Sequence, residues 1–522
     1  MKKLSAIILT AIMVLTLVLA SCGETTENPA SKPPVGDESQ TASVGEESAE
    51  DKPLVPHLDP TDAGVNGYTL KVLACGDGDG YAFTQFTGKA APGFNDEFNE
   101  DAVNIAVLNR NYKLEAEYGF RIEAVNIDQS GLSVFTRIED DYLGGTIDYQ
   151  VISAGAYRIA PAAVAGYLVD IYDIEDSYLS LNEEWWDPVA QKDMSIGNRQ
   201  YMITGDLLVT DDEYIKCIYF NKDMVEKYKA DPAFAKTPYD LVYDGEWTLD
   251  KMYEMVKAVA HDGGDDRMHP DGEDDTWGLV GVAFDTYMLI MGSGKPQVKK
   301  NADDIPEFAM LDEANVNAFL KVYDIVTDTQ RVALREAYYE WNDKDGNAKI
   351  YNSFYDERAL FMMGAIEKAS SPEMRDLNFH YGILPYPKYN EEQEHYASTV
   401  DPYGFGVIGI SNYIEKDELK QVTFCLEAMA YLNHEEITPE YYVRTLKMKR
   451  LDDNESPDML DLISRNRLVD ISVVFNWNDC IQYYNTLYSK HNNQVESFCQ
   501  GKEGVFNSAM QETLDAFEAL GE

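Results

Sequence analysis

The chain has 522 residues, of which 92 are acidic and 43 basic, for a formal net charge of −49. A field of that sign repels nucleic acid and anionic membrane surfaces, so it excludes a nucleic-acid role and disfavours a polyanionic ligand; a neutral or cationic one fits better. The length allows two or more domains of roughly 100 to 200 residues each.

In chain order, Lys2 and Lys3 precede an apolar run, Leu4 to Leu19, shorter than the roughly 20 residues a spanning helix needs. Residues 1–21 read as an export signal. Leu19-Ala20-Ser21-Cys22 resembles a bacterial lipobox, in which the thiol of Cys22 takes a diacylglyceryl group and becomes the first residue of the mature chain. Two acyl chains hold a protein at a bilayer where one would do so only marginally. The expected location is therefore extracytoplasmic, on the outer face of the cell membrane. Residues 22–62 are Glu, Ser, Thr, Pro and Gly with almost no large apolar side chain, and are predicted to form a disordered acidic tether.

Order is predicted from the strand Tyr68–Cys75, which runs into Gly76-Asp77-Gly78-Asp79-Gly80. Helical spacing of Val103, Val107, Leu114 and Tyr118 ends at Gly119, as a left-handed cap requires. Strands at Phe120–Ile127 and Asp148–Ser153 follow, then a helix over Ile159–Tyr167 with Pro161 in its first turn. Alternating strands and helices predict an α/β sheet, parallel in the main, with ligand-facing loops beyond the strand ends at Gly76–Tyr81 and Ala154–Tyr157. Further on, Thr248 is placed to cap a helix whose buried face is Leu249, Met252, Val256 and Val259.

The pieces YFNKDMVEKY (219–228), WTLDKMYEMVKAVA (247–260), WGLVG (277–281), ERALFMMG (357–364) and YGILPYP (381–387) occur in that order behind the lipobox. Through them the chain resembles the extracellular solute-binding proteins of ABC transporters, particularly the family 1, carbohydrate-type group. The resemblance implies an α/β, two-lobed periplasmic-binding-protein-like fold with hinge-crossing segments and a cleft between the lobes. It implies one lobe at 66–210 with a further piece at about 404–450, and a second at 211–403 with much of 451–522. The crossings are expected near Asp206–Glu213 and Asp401–Phe405. The implied function is capture of a small neutral solute, a sugar or oligosaccharide, for ABC permease subunits. The alternatives are an extracellular glycan-processing enzyme and a glycan-binding surface protein.

Sugar recognition needs aromatic faces for C–H groups and polar side chains for hydroxyls, because unpaired buried hydroxyls cost about 1–3 kcal/mol each. The chain has 35 Tyr and six Trp. Candidate ligand-binding residues are Trp186 in Trp185-Trp186-Asp187, and Trp477 and Asn478 near the C-terminus. On the crossings they are Asp206, Asp211, Asp401 and Tyr403; in the strand-end loops, Asp79, Tyr81 and Tyr157. Trp247 and Trp277 read as core. The acidic stretch His261–Asp275 resembles a worn calcium loop, but no register brings the ligand and Gly positions of an EF-hand together, so a solvated loop is favoured over a Ca2+ site at Asp262–Asp275. No metal cluster or cofactor is otherwise expected. The spacing of Cys480 and Cys499 leaves their pairing open. No H-E-x-x-H, G-x-S-x-G or P-loop motif occurs, and Gly292-Ser293-Gly294-Lys295 runs into Pro296, so no enzyme is predicted.

Overall fold

The computed structural model describes residues 54–59, 61–76, 81–89, 102–128, 132–264, 267–270, 272, 274–338, 346–446 and 454–521. The export signal, Cys22, most of the tether, and Asp77 and Asp79 lie outside them; the expected disorder does not extend to 62, because Val55 and Leu58 are buried and His57 pairs with Glu427. The strands are β1 (Thr69–Gly76), β2 (Arg121–Asp128), β3 (Val151–Gly155), β4 (Lys216–Asn221), β5 (Trp277–Gly281), β6 (Val298–Lys300), β7 (Pro306–Phe308), β8 (Val332–Leu334), β9 (Ala359–Ala365), β10 (Tyr381–Leu384), β11 (Ser398–Thr399), β12 (Gly406–Ile410) and β13 (Arg467–Leu468).

Two sheets with helices around them make the two lobes. The first has strand order β12-β3-β1-β2 and the second β10-β4-β9-β5-β8. Leu70, Val72, Leu73 and Ala74 are all buried, so β1 is covered on both faces, as an α/β sheet requires. Helix Ala102–Tyr118 stops where Gly119 turns left-handed at φ 76°, its N–H donating to Glu115 O at 3.0 Å. Thr248 Oγ1 accepts from Lys251 N at 3.3 Å, and Leu249, Met252, Val256 and Val259 are buried behind that cap.

The expectation of mainly parallel sheets needs one qualification. Among the described strands each sheet contains a single reversed one, β12 against β3 and β4 against both β9 and β10. These two strands directly follow the chain's crossings between the sheets. A strand entering from the crossing side must run opposite to neighbours whose carboxyl ends point there.

The crossings are knitted together. Ile215 bridges Val400, Asp401 N donates to Tyr214 O at 2.9 Å, and β11 pairs with β13, which makes a third crossing near 466–470. Ala156 N and Tyr157 N donate to Phe405 O and Pro402 O at 2.9 and 3.0 Å. The backbone of the second crossing lies so close to β3 that a Cβ at Gly155 would collide with the carbonyl oxygen of Tyr403. This close approach corrects one boundary. The helix begins at Ala156, immediately after β3, so it spans Ala156–Val164 and Pro161 sits in its interior, not its first turn.

Candidate functional site

A cavity of about 600 Å3 lies at the carboxyl ends of β5, β8 and β9, where the reversed β4 begins and the second crossing passes. Its walls carry Lys216 from β4, Phe284 after β5, Arg335 and Glu336 after β8, and Glu367 and Lys368 after β9. Tyr351, Asn352 and Tyr355 come from helix Gly346–Tyr355, Asp401 and Tyr403 from the crossing, and Gln482 and Asn485 from the C-terminal region. Three cations (Lys216, Arg335, Lys368) face four carboxylates (Glu336, Glu367, Glu373, Asp401), so the wall is close to neutral in a strongly acidic protein.

The charges are held in place. Lys216 Nζ lies 2.9 Å from Asp401 Oδ2 and 5.9 Å above the Phe284 ring. Burial alone would lower the Lys216 pKa, but Asp401 and Asp285 outweigh it and keep the ammonium charged. Glu336 accepts from Arg335 and, at 2.6 Å, from Ala283 N. Burial raises the Glu367 pKa against the pull of Lys368 and Lys216.

Behind the wall, burial pushes Asp285 up to about 6, with Lys216 opposing the shift; its Oδ2 accepts from Val282 N at 2.8 Å. Folded Asp285 thus holds its proton more tightly than the unfolded carboxyl, which titrates near 3.8. Its contribution to stability is present below about pH 4 and is lost as pH rises through about 6, a change of roughly 3 kcal/mol. Asp285→Asn should therefore gain on the wild type between those pH values and stay level above them. Unfolding free energies measured across that range check this; parallel profiles would refute it.

The structure brings three sequence candidates together here. Asp401 and Tyr403 line the cavity, and the Tyr157 ring, from the first lobe, lies 4.8 Å from the Tyr403 ring. Phe284 follows at 6.2 Å from Tyr403, extending the aromatic surface into the second lobe. Asn478 is exposed on left-handed backbone at φ 52°, in the same 3-10 segment as the cavity residue Gln482; its Oδ1 accepts from Tyr483 OH at 3.0 Å.

Four candidates point elsewhere. Trp477 is 2 % exposed, stacked on Phe475, with its indole N–H donating to Thr513 Oγ1 at 2.9 Å. Trp186 is fully buried and donates to Glu427 Oε2 at 2.7 Å; Glu427 also accepts from Trp185 and pairs with His57. Neither indole offers a face to the cavity, because apolar packing on both sides and a satisfied N–H make the interior the better place for it. Asp206 pairs with His434, and Asp211 with Arg467 at 3.1 Å, so these carboxylates serve the crossing itself. Asp79 is outside the described residues; Tyr81 opens helix Tyr81–Thr87, and its side chain is not among those described.

Trp247 and Trp277 are both buried. In the acidic loop, Asp262 accepts from Gly264 N, and Asp275 accepts from Gly263 N and His269 N, so described oxygens are engaged in closing the loop. Cys480 and Cys499 are separate buried thiols, Cys480 Sγ donating to Ser472 O at 3.0 Å. Lys216, Glu367, Lys368, Arg335 and Glu336 were missed from the sequence. The one available signal was a charge opening an otherwise apolar strand, Lys216-Cys-Ile-Tyr-Phe220.

No protein-family profile and no curated protein matches this sequence. Solved structures do match its fold. The sugar-binding protein MalE from the phytopathogen Xanthomonas citri aligns with TM-score 0.56 and 11 % identity, over 86 % of this chain and 99 % of that one. A cyclo/maltodextrin-binding protein complexed with maltotetraose aligns at 0.51 and 15 %, over 90 % and 98 %. The maltose/maltodextrin-binding domain MalE from Bdellovibrio bacteriovorus, bound to maltotriose, aligns at 0.50 and 14 %, over 85 % and 100 %. The chain has the two-lobed α/β fold of solute-binding proteins. At these identities the likeness is one of fold.

Proposed function

We propose that this chain is a lipid-anchored extracytoplasmic receptor that captures a neutral oligosaccharide between its lobes and delivers it to an ABC permease, without chemistry on the sugar. The observation that carries the reading is the cavity wall. Charged donors and acceptors are nearly balanced there, and Phe284, Tyr351, Tyr355 and Tyr403 are the aromatic residues of its lining. Hydroxyls need both donors and acceptors, and pyranose C–H surfaces need apolar faces. In this reading the lobes comprise 66–210 with about 404–450, and 211–403 with much of 451–522. Asp401, Tyr403, Tyr157 and Asn478 contact the sugar, and binding favours a closed form because the ligand touches both lobes only there. No described helix is long and apolar enough to cross a membrane.

Calorimetry against a panel of neutral oligosaccharides that includes maltotetraose tests the capture. At least one should bind with a negative heat-capacity change, and none should acquire new reducing ends. A panel without a binder, or one that is hydrolysed, sinks the reading. Mass spectrometry of the membrane-extracted protein tests the anchor: two or three acyl chains on Cys22 are expected, and an unmodified thiol refutes it.

A further inference from the structure

Arg467 stands at the third crossing and is absent from the cavity wall. Its side chain is 13 % exposed, and its guanidinium reaches three carboxylates: Nε to Asp187 at 3.0 Å, Nη1 to Asp211 at 3.1 Å and Nη2 to Asp212 at 3.2 Å. Each carboxylate has a different setting. Asp187 caps helix Pro188–Met194 of the first lobe, accepting from Val189 N and Ala190 N at 3.0 Å. Asp211 and Asp212 belong to the first crossing, and Asp212 also accepts from Ser464 Oγ at 2.7 Å and Tyr442 OH at 3.0 Å. Through the backbone, Arg467 pairs with Ser398 of the second crossing, and Thr399 Oγ1 donates to Leu468 O at 3.1 Å. The guanidinium therefore ties the third crossing to the first crossing and the first lobe, while the backbone of the same residue pairs with the strand that leads into the second crossing.

The balance around it is uneven, with three buried carboxylates against one guanidinium. Asp211 Oδ1 has no hydrogen-bond partner among the described residues. Burial and the neighbouring Asp212 raise the Asp211 pKa well above the ordinary carboxylate value, with Arg467 opposing. A buried cluster whose charges are not fully paired is sensitive to any movement of the segments that carry them.

We propose that Arg467 is the pin of the hinge, a positioning residue that sets the balance between open and closed lobes without touching ligand. The proposal rests on the two-lobed receptor reading above. A lysine at this position keeps the charge but gathers its donors on one nitrogen, so it cannot reach carboxylates that are met by three separate guanidinium nitrogens.

The test uses Arg467→Lys and, as a variant that preserves side-chain volume, Asp212→Asn, each in protein spin-labelled through Asp140→Cys in the first lobe and Ala230→Cys in the second. Inter-lobe distance distributions are recorded without ligand. Both substitutions should broaden or shift the distribution, and the double variant should move it no further than the larger single change, because one link is being cut twice. Affinity for the strongest-binding oligosaccharide of the panel should change by about tenfold, as expected if the competent population changes by that factor. Distributions that match the parent, with or without a fall in melting temperature, overturn the proposal. If no oligosaccharide binds even the parent protein, the receptor reading fails while the ligand-free distances still decide the role of Arg467.

Discussion

Replacing Trp477 by alanine is expected to cost about 3–5 kcal/mol of folding stability and to leave oligosaccharide affinity unchanged. The ring is 2 % exposed, sits on Phe475 at 5.8 Å with planes 9° apart, and meets Phe506 edge-on. Truncation would open a large cavity in the C-terminal core and leave the Thr513 hydroxyl, which now accepts the indole N–H, with its bond to Ala509 O but without that donor. The sequence suggested otherwise for affinity, a ligand-binding residue whose loss would weaken binding. Denaturant unfolding and calorimetry on the same preparation separate the two. A stable variant with weakened binding would return Trp477 to the cleft.

Lys216→Met should lower both quantities. The lysine side chain is 11 % exposed and sits among Asp401, Asp285 and Glu367. Removing one partner of such a pair leaves uncompensated buried charge, a cost of about 3–5 kcal/mol. The same change removes a cavity-wall donor and the cation above Phe284, so oligosaccharide affinity should fall by about tenfold or more, the equivalent of one charge-assisted hydrogen bond. Combining it with Asp401→Asn should restore part of the stability, because the charge is no longer unbalanced, and none of the affinity. A double variant that regains affinity would show that Lys216 acts only as a structural counter-ion.

Both expectations follow from features that one-dimensional reading treats alike. Trp477 and Tyr403 are each an aromatic residue that the sequence offers as a ligand contact. One is interior and the other lines the cavity, and what separates them is the helix Val495–Leu520, which brings Phe506, Thr513 and Phe517 over the Trp477 region. Asp211 and Asp401 are each a carboxylate on a crossing. One meets Arg467, 256 residues away, and the other meets Lys216 at the cavity. Their roles depend on which cation the fold delivers, and no local pattern carries that information.

The sequence by itself determined what periodicity, caps and composition encode. The Gly119 stop, the Thr248 cap with its buried face, and the alternating strands and helices are local, and their energetics are settled within a turn or two of chain. The order of weak motifs also carried the two-lobed class, since each marks an element of the shared scaffold. The tertiary structure alone decided the direction of β4 and β12, the start of a helix at Ala156, the interior positions of Trp186 and Trp477, and the gathering of Lys216, Arg335 and Glu367 into one wall. Those features arise where elements from separate parts of the chain pack on one another or cross between the two sheets. Close approach and long-range charge pairing, which sequence spacing does not record, fix them there.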